Sequence, residues 1–377
     1  GPTAYLLHLL AHPIAFPQPR WAIEAHGQAW AAEPRHLVCN GAFQLVEREP
    51  GTRLLLKRNP AYTGRFPGNA DLVELLVFSK WRLALEAYAS DAVDLIDMAA
   101  ADARSMAVAR TFYSEDMVFV PLLNTNYLIF LVDRPPFDDV RVRLGFAHAT
   151  DQHAISPDQL LQGNVPATGG FVPPWMPGHS ADIGLAFDPE RGRRLLTAAG
   201  FPDGGDFPTI TFLHTHGLCD ESLIPFLQDQ WRQNLGIDVE VTVLPWREFQ
   251  KRVRTDPPHL MLASWIADYP DPDNFLRMVF HSTRGLNEPG WNHARFDALV
   301  DEAARVTDQN LRMELYGKAD RILSAEATVI MPLSYGRGAI LLKPWVSHAS
   351  KQRVSTRYLK ELSVEVARAP SDRSVLT

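Results

Sequence analysis

The chain has 377 residues, of which 46% are hydrophobic and 21% are charged, and this composition excludes a disordered or fibrous protein. At roughly 150 residues per domain, the length predicts two to three lobes. The 37 basic and 44 acidic residues give a net charge of −7, which disfavours nucleic acid and anionic lipid as partners. The longest apolar stretch, residues 4–16, is interrupted by histidine and proline and is too short to span a bilayer, so we expect no membrane span.

The first part of the chain reads as a small mixed region. Hydrophobic patterning predicts strands near residues 41–47, 53–58 and 72–78, followed by a helix around 80–89. An apolar extended run covers 117–132, and helical patterning resumes after Asp139. We therefore expect a lobe boundary in the region of this run.

The second part alternates helices and strands. Asp188 and Pro189 are a cap and a first-turn proline, so they predict the start of a helix that ends at Gly200. Strands are predicted at 210–213 and 237–244, and a helix over 219–235 ends at Gly236. Apolar stripes at helical spacing predict two further amphipathic helices, over 296–303 and 311–323. Helix-to-strand units of this kind define an α/β fold.

An acidic run between aromatic residues is the first candidate site. Residues 265–275 hold Asp268, Asp271 and Asp273, but they lack the glycine and the bidentate glutamate that a calcium loop needs. We predict that Asp271 and Asp273 cap a helix over 272–279. Asp268 lies between Trp265 and Tyr269, whose rings can form the walls of a pocket for a cation-bearing ligand.

A second candidate contains two histidines. His214 and His216 point to the same face of a strand, and Cys219, Asp220 and Glu221 follow, which gives a weak zinc pattern. Because no second ligand pair occurs at zinc-site spacing, exposed strand-end residues are the favoured interpretation, and we predict no metal and no cofactor. The sequence also lacks a nucleophile elbow, a dinucleotide fingerprint and a phosphate loop, so no motif indicates an enzyme.

Several blocks of residues resemble a known family. The stretch 134–143, followed by 149–151, 163–167 and 172–174, resembles the signature of family 5 extracellular solute-binding proteins, the peptide- and nickel-binding components of ABC importers. Further blocks agree in the family's order over nearly the whole chain: 40–43 with 57–62, 187–201, 267–276 and 343–346.

This resemblance implies a type II periplasmic-binding-protein fold, in which two α/β lobes joined by a hinge close on a ligand. Residues 1–125 plus 335–377 are expected to form the first lobe, and 126–334 the second. Family members have a strand, and in peptide binders a small domain, before the point where this chain starts. We therefore expect a truncated chain whose first lobe is incomplete at its N-terminus.

The resemblance also implies a ligand site. The aspartate matching Asp268 pairs with a peptide's α-ammonium group in oligopeptide-binding members, and tryptophans matching Trp246 and Trp265 line side-chain pockets. Tyr127 and Tyr335 lie near the expected hinge crossings and, with Tyr269, complete the predicted ligand-binding residues. Leu262 stands where those members carry an arginine for the ligand's carboxylate, which Arg247 or Arg337 can replace.

The expected function is binding of a peptide or similar small solute in the cleft between the lobes, for delivery to an ABC transporter permease. The expected location is periplasmic or extracellular, with membrane association through a missing N-terminal lipid anchor. The alternative is a cytoplasmic ligand-sensing domain of a bacterial transcription regulator. A zinc enzyme using His214 and His216 is a third, weaker interpretation.

Overall fold

The structure, a computed structural model, describes residues 3–155, 163–217, 222–287, 289–348, 356–365, 367 and 375–376. The helices are α1 (Leu6–Ala11), α2 (Arg20–His26), α3 (Trp81–Ala89), α4 (Ala103–Phe112), α5 (Val140–His148), α6 (Pro189–Ala198), α7 (Leu223–Leu235), α8 (Trp246–Thr255), α9 (Arg277–Phe280), α10 (Ala294–Ala303) and α11 (Gln309–Arg321). The strands are β1 (Phe43–Glu49), β2 (Arg53–Arg58), β3 (Leu72–Leu76), β4 (Leu95–Asp97), β5 (Met117–Phe130), β6 (Val165–Pro166), β7 (Ile210–Thr215), β8 (Val239–Leu244), β9 (Leu260–Ile266), β10 (Ile330–Leu342), β11 (Val346–His348), β12 (Leu362–Val364) and β13 (Val375–Leu376).

The chain divides into two compact units. Unit 1 consists of Gly1–Phe16 and Leu122–Arg337, and unit 2 of Pro17–Pro121 and Gly338–Thr377. Residues 1–16 are predicted from the sequence to lie in the first lobe, but the described residues before Pro17 belong to unit 1. One reason is the ring of Tyr5, which stacks on the ring of Tyr269 with centroids 4.8 Å apart.

Unit 1 is built on a mixed sheet with helices on both faces. Its strands lie in the order β10, β5, β9, β7, β8, and β6 pairs with β10. β9 runs antiparallel to β5 and parallel to β7, which is parallel to β8. Such a three-layer arrangement buries the sheet on both sides, as an α/β fold requires. The α/β prediction is therefore confirmed.

Alternate residues of the central strands enter two different cores. Tyr127 and Ile129 of β5, with Met261 of β9, pack against the layer formed by α8 to α11. Leu128 and Leu262 pack on the other face, against α5, α6 and α7. The two-residue repeat of a strand explains this division. Trp265, near the end of β9, lies on the same face as Met261. It is partly buried and packs against the core that contains Met261.

Unit 2 contains a smaller sheet. β1, β2 and β3 form an antiparallel meander, and β13 pairs parallel with β3. β11 and β12 form a separate antiparallel pair, and β4 pairs with Ile340–Leu342 of β10. The core includes Val73 and Trp345, whose indole N–H donates to a carboxylate oxygen of Asp94 at 2.8 Å.

The local predictions agree with these elements in most places. The three early strands and the helix that follows them are confirmed as β1, β2, β3 and α3. Asp188 accepts the backbone N–H of Arg191 at 2.8 Å, which confirms the cap of α6, and Gly236 ends α7 with a φ of 70°. Among the described residues, no helix combines the length and the apolar character needed to cross a membrane.

Candidate functional site

The acidic run forms a turn at the end of β9. Asp271 precedes a short 3₁₀ turn, Pro272–Asn274, and its carboxylate accepts the backbone N–H of Asp273 at 3.0 Å. α9 begins only at Arg277, so the predicted helix over 272–279 is divided into two short pieces. The capping role predicted for Asp271 is confirmed, since an aspartate oxygen here satisfies a backbone donor that the turn leaves open. Asp273 has a different role, because its carboxylate accepts side-chain hydroxyls.

Asp268 and Trp265 are joined by one buried amide. The Oδ1 atom of Asn274 accepts the indole N–H of Trp265 at 3.0 Å and the backbone N–H of Asp268 at 3.1 Å. The Nδ2 atom of Asn274 donates to Oδ2 of Asp268 at 3.3 Å. Asp268 is exposed and Trp265 is half-buried, whereas Asn274 is 0% exposed. A carboxylate and an aromatic ring are thus held together at the surface of unit 1.

A group of tyrosines lies beneath this surface. The hydroxyls of Tyr269 and Tyr316 donate to the two carboxylate oxygens of Asp273, at 2.9 and 3.2 Å. Asp273 is 0% exposed, and Nη1 of Arg277 lies 3.9 Å from its Oδ1 atom. Burial, followed by the negative charge of Asp273, raises the pKa of Tyr269 and of Tyr316. Both hydroxyls therefore stay protonated and continue to donate.

Tyr5 extends this group from the start of the chain. Its ring is half-buried and nearly parallel to that of Tyr269, with an interplanar angle of 14°. Burial is the main cause that raises the pKa of Tyr5 to about 12, and the charge of Asp273 and a hydrogen bond to it add to the effect. Tyr269 is consequently covered on one face and anchored at its hydroxyl, as a support for the turn.

A buried ion pair fixes the turn from below. Nη1 and Nη2 of Arg312 donate to Oδ2 and Oδ1 of Asp271 at 2.8 and 2.7 Å, and the arginine side chain is 1% exposed. Nε of Arg312 donates to the carbonyl oxygen of Ala303 at 3.0 Å. Burial alone would lower the pKa of Arg312, but its contacts with Asp271 outweigh burial and raise it. The guanidinium therefore stays charged, and the fork geometry fixes the orientation of the carboxylate.

The other predicted ligand-binding residues lie elsewhere in unit 1. Trp246 begins α8, is 51% exposed, and stacks on Phe249 with ring centroids 5.7 Å apart. Tyr127 is buried edge-on against Phe171. Tyr335 is also buried, and its hydroxyl donates to the carbonyl oxygen of Gly170 at 2.8 Å. The ligand-binding role of these residues stays a prediction. Tyr127 and Tyr335 are packed in the core of unit 1.

The predicted replacements for the missing arginine are also located. Leu262 is buried in the core between the sheet and α5 to α7. Arg247 is exposed in the first turn of α8, and Arg337 is half-buried at the end of the unit 1 part of β10. An arginine at position 262 would therefore enter an apolar layer, and Arg247 is the more accessible of the two candidates.

The structure adds no ligand to the weak zinc pattern at His214 and His216 among the residues that it describes. His214 is fully buried within β7, which corrects the predicted exposure of that residue, whereas His216 is exposed just after the strand, as predicted. Cys219, Asp220 and Glu221 lie outside the described residues. Over the ranges that the structure describes, no group of three or more histidine, cysteine, aspartate or glutamate side chains is arranged to hold a metal ion.

Sequence reasoning missed the residues that support the site. Asn274 lies in the acidic run, but an amide among carboxylates carries no special signal. Arg312 is different, because it shares the buried stripe of α11 with Leu315, Tyr316 and Ala319. An arginine on the apolar side of an amphipathic helix indicates a buried anionic partner, since an unpaired charge is rarely buried.

These features define a two-unit α/β protein that carries a charged and aromatic surface, and comparison with known proteins gives the family. Residues 1–287 match the family model described as bacterial extracellular solute-binding proteins, family 5 Middle. The chain belongs to this family, as the resemblance predicts.

Relatives and solved structures agree with the assignment. The chain is 28% identical to the periplasmic oligopeptide-binding protein OppA of Escherichia coli K12, over 96% of this chain and 67% of that protein. It is 30% identical to the probable deoxycholate-binding periplasmic protein YgiS of the same organism, over 92% of this chain and 64% of that protein. The ABC transporter-associated periplasmic binding protein DppA of Helicobacter pylori, in complex with the peptide STSA, has a TM-score of 0.73 at 22% identity, covering 97% of this chain and 71% of that one.

The relatives bear on the alternatives as well. They are binding proteins of the periplasm, and they give the transcription-regulator alternative no support. The type II periplasmic-binding-protein fold is confirmed by the structural match. The chain spans about two thirds of the length of the curated relatives it matches.

Proposed function

We propose that this chain binds a peptide by its amino terminus at Asp268, as the solute-binding part of an ABC importer. The observation that carries the proposal is the exposed carboxylate of Asp268, held beside the indole of Trp265 by a buried amide. The relatives named for oligopeptide binding and the peptide complex of the Helicobacter pylori protein support peptide as the ligand class.

The carboxylate has the chemistry that an ammonium group requires. An ionised carboxylate offers about four acceptor positions, and the Asn274 amide uses one of them at Oδ2. A peptide's α-ammonium carries three N–H donors and a positive charge, so it can occupy the remaining positions through charge-assisted hydrogen bonds. Because Asp268 is exposed, a ligand reaches it without rearrangement of the core.

The neighbouring aromatic surface suits a peptide side chain. The indole N–H of Trp265 is already bonded to Asn274, so the exposed part of the ring offers apolar contact area. Trp246 adds an exposed ring on α8, next in sequence to Arg247, which we assign to the ligand's carboxylate. We take units 1 and 2 to be the two lobes of the binding protein.

The proposal includes the place where the protein works. Family membership and the periplasmic relatives support a location outside the cytoplasmic membrane. We include the N-terminal lipid anchor predicted from the resemblance, and detergent phase partitioning of the protein from its own cells tests it. A protein that enters only the aqueous phase would remove the anchor from the proposal.

A ligand screen tests the function directly. Native mass spectrometry of the purified chain with an equimolar tripeptide mixture should show one-to-one complexes. The Asp268→Asn variant should bind the selected peptide about 30-fold more weakly, the lower end of the range for removing one partner of a charge pair, because Asp268 is exposed.

Two controls make the screen decisive. Asp238→Asn makes the same charge change at an exposed carboxylate paired with Arg232 at 2.6 Å, so affinity should stay at the wild-type value. N-acetylation of the peptide should weaken binding to the wild type about as much as Asp268→Asn does. Equal affinity of acetylated and free peptides for the wild type would contradict the assignment of Asp268.

A further inference from the structure

The side-chain amide of Asn274 has a single consistent orientation. Indole and backbone N–H groups only donate, so the carbonyl oxygen Oδ1 must face Trp265 and the Asp268 backbone, at 3.0 and 3.1 Å. The NH₂ group then faces the carboxylate of Asp268, which only accepts when ionised. Donors and acceptors match at all three contacts.

The surroundings prevent this amide from turning away. Asn274 ends the 3₁₀ turn, its backbone N–H donates to the carbonyl oxygen of Asp271 at 3.0 Å, and the next residue, Phe275, is fully buried. A buried amide that lost its partners would carry the full desolvation penalty. The side chain is therefore held in place both by its own backbone and by the two groups that it connects.

We propose that Asn274 is a positioning residue that couples two recognition events, binding of the ligand's ammonium at Asp268 and binding of the neighbouring side chain at Trp265. This inference rests on the proposed peptide-binding function and extends it to specificity. Asn274 itself is 0% exposed, so it acts through the two groups it orients.

Geometry and polarisation both produce the coupling. The plane of the Trp265 ring and the direction of the Asp268 carboxylate are set by opposite ends of one rigid amide. An indole N–H bonded to Oδ1 also polarises the amide, which strengthens donation from Nδ2 to the carboxylate. Selectivity for a free amino terminus and selectivity for the first side chain are consequently linked, and a change at either group alters the other.

Peptide affinities test the coupling. The probe is the tightest-binding tripeptide from the native mass-spectrometry screen, measured by calorimetry against its N-acetylated form. We expect the preference for the free amine to fall about 10-fold in Asn274→Ala, the worth of one hydrogen bond to a charged group. Trp265→Phe keeps an aromatic ring but removes the indole N–H, and it should reduce the same preference by about 3-fold.

A matched control separates positioning from stability. Asn234→Ala also removes a side-chain amide, one whose Nδ2 donates to the carbonyl oxygen of Ala149 at 2.8 Å, at the end of α7. It should leave the amine preference unchanged. Adding Asn274→Ala to Asp268→Asn should cause no further loss of preference, because the positioned group is already gone.

The outcomes distinguish the two proposals. If no tripeptide binds the wild type, or if the wild type shows no amine preference, the peptide function fails and the coupling fails with it. If the preference is present in the wild type and lost in Asp268→Asn but intact in Asn274→Ala, only the positioning role is overturned.

A measurement without ligand covers the case in which Asn274→Ala does not fold. In Asp268→Asn, the assigned indole ¹H–¹⁵N resonance of Trp265 should shift relative to the wild type, because the carboxylate at the other end of the amide has changed. The indole of Trp231, which donates to the Thr150 hydroxyl at 3.0 Å, provides an unchanged reference. A Trp265 resonance as constant as that of Trp231 would overturn the coupling.

Discussion

Replacing Arg312 by methionine should destabilise unit 1 strongly. The change keeps most of the side-chain volume but removes both hydrogen bonds to Asp271, at 2.7 and 2.8 Å, and the bond to the Ala303 carbonyl. Asp271 is buried, so its carboxylate would lose the partner that compensates its desolvation. The capping bond to Asp273 alone cannot replace two charge-assisted bonds.

The expected loss is about 3–5 kcal/mol of unfolding free energy, the range for breaking a buried pair at one partner. For a domain of roughly 200 residues, this corresponds to a fall in Tm on the order of 10 °C. Replacing the carboxylate as well, in Asp271→Asn with Arg312→Met, should recover about half of the loss, because position 271 then carries no unpaired acid.

Urea unfolding followed by circular dichroism, with a calorimetric scan, measures both variants. Arg232→Met is the control, because its partners Asp229 and Asp238 are exposed and a surface pair is worth about 0–1 kcal/mol. A loss below about 1 kcal/mol in Arg312→Met, or a double variant less stable than the single one, would refute the reasoning.

Three further changes have definite expectations. The pKa of Tyr5 rises from 10.0 to about 12 in the folded chain, mainly through burial, so its contribution to stability is present below pH 10 and lost as the pH rises through 12. Tyr5→Phe should therefore flatten the alkaline fall in Tm, and an unchanged Tm profile would refute this. Gly170→Ala should cost about 2 kcal/mol in urea unfolding, since the added Cβ would overlap the buried Asp320 carboxylate, and wild-type stability would show that the carboxylate can move. Asp188→Ala should lower the free energy of unfolding by about 1 kcal/mol because the α6 cap is lost, whereas Asp188→Asn should retain most of that stability.

Local signals explain why much of the fold could be predicted from the sequence. The strand 210–213 and the helix over 219–235 are set by short-range patterns, and the structure confirms them as β7 and, from Leu223 onward, as α7. β10 gave no such signal, although it is one of the longest strands. Pro332, Gly336 and Gly338 interrupt its apolar run, and these residues usually mark turns or edges.

The candidate site shows the same division. Trp265 and Asp268 could be selected because a charge and aromatic rings lie within a few residues of one another. The residues that hold the turn after β9 in place could not be found in this way, because they are distant in sequence. Arg312 and Tyr316 come from α11, and Tyr5 comes from the start of the chain. A contact between distant segments depends on tertiary packing, which leaves no trace in a single local pattern.

The exposed positions of the turn after β9 are suitable for changing ligand preference by design. Ile266, Asp268 and Pro270 are exposed, with Ile266 at 62%, whereas the alternate residues Trp265 and Tyr269 are anchored by hydrogen bonds to buried side chains. Substitution at 266 and 270 therefore alters mainly solvent-facing atoms, because the strand-like alternation directs these side chains away from the core. A combinatorial library restricted to these two positions, with Asp268 kept, would vary the outer surface of the turn while the support beneath it stays constant.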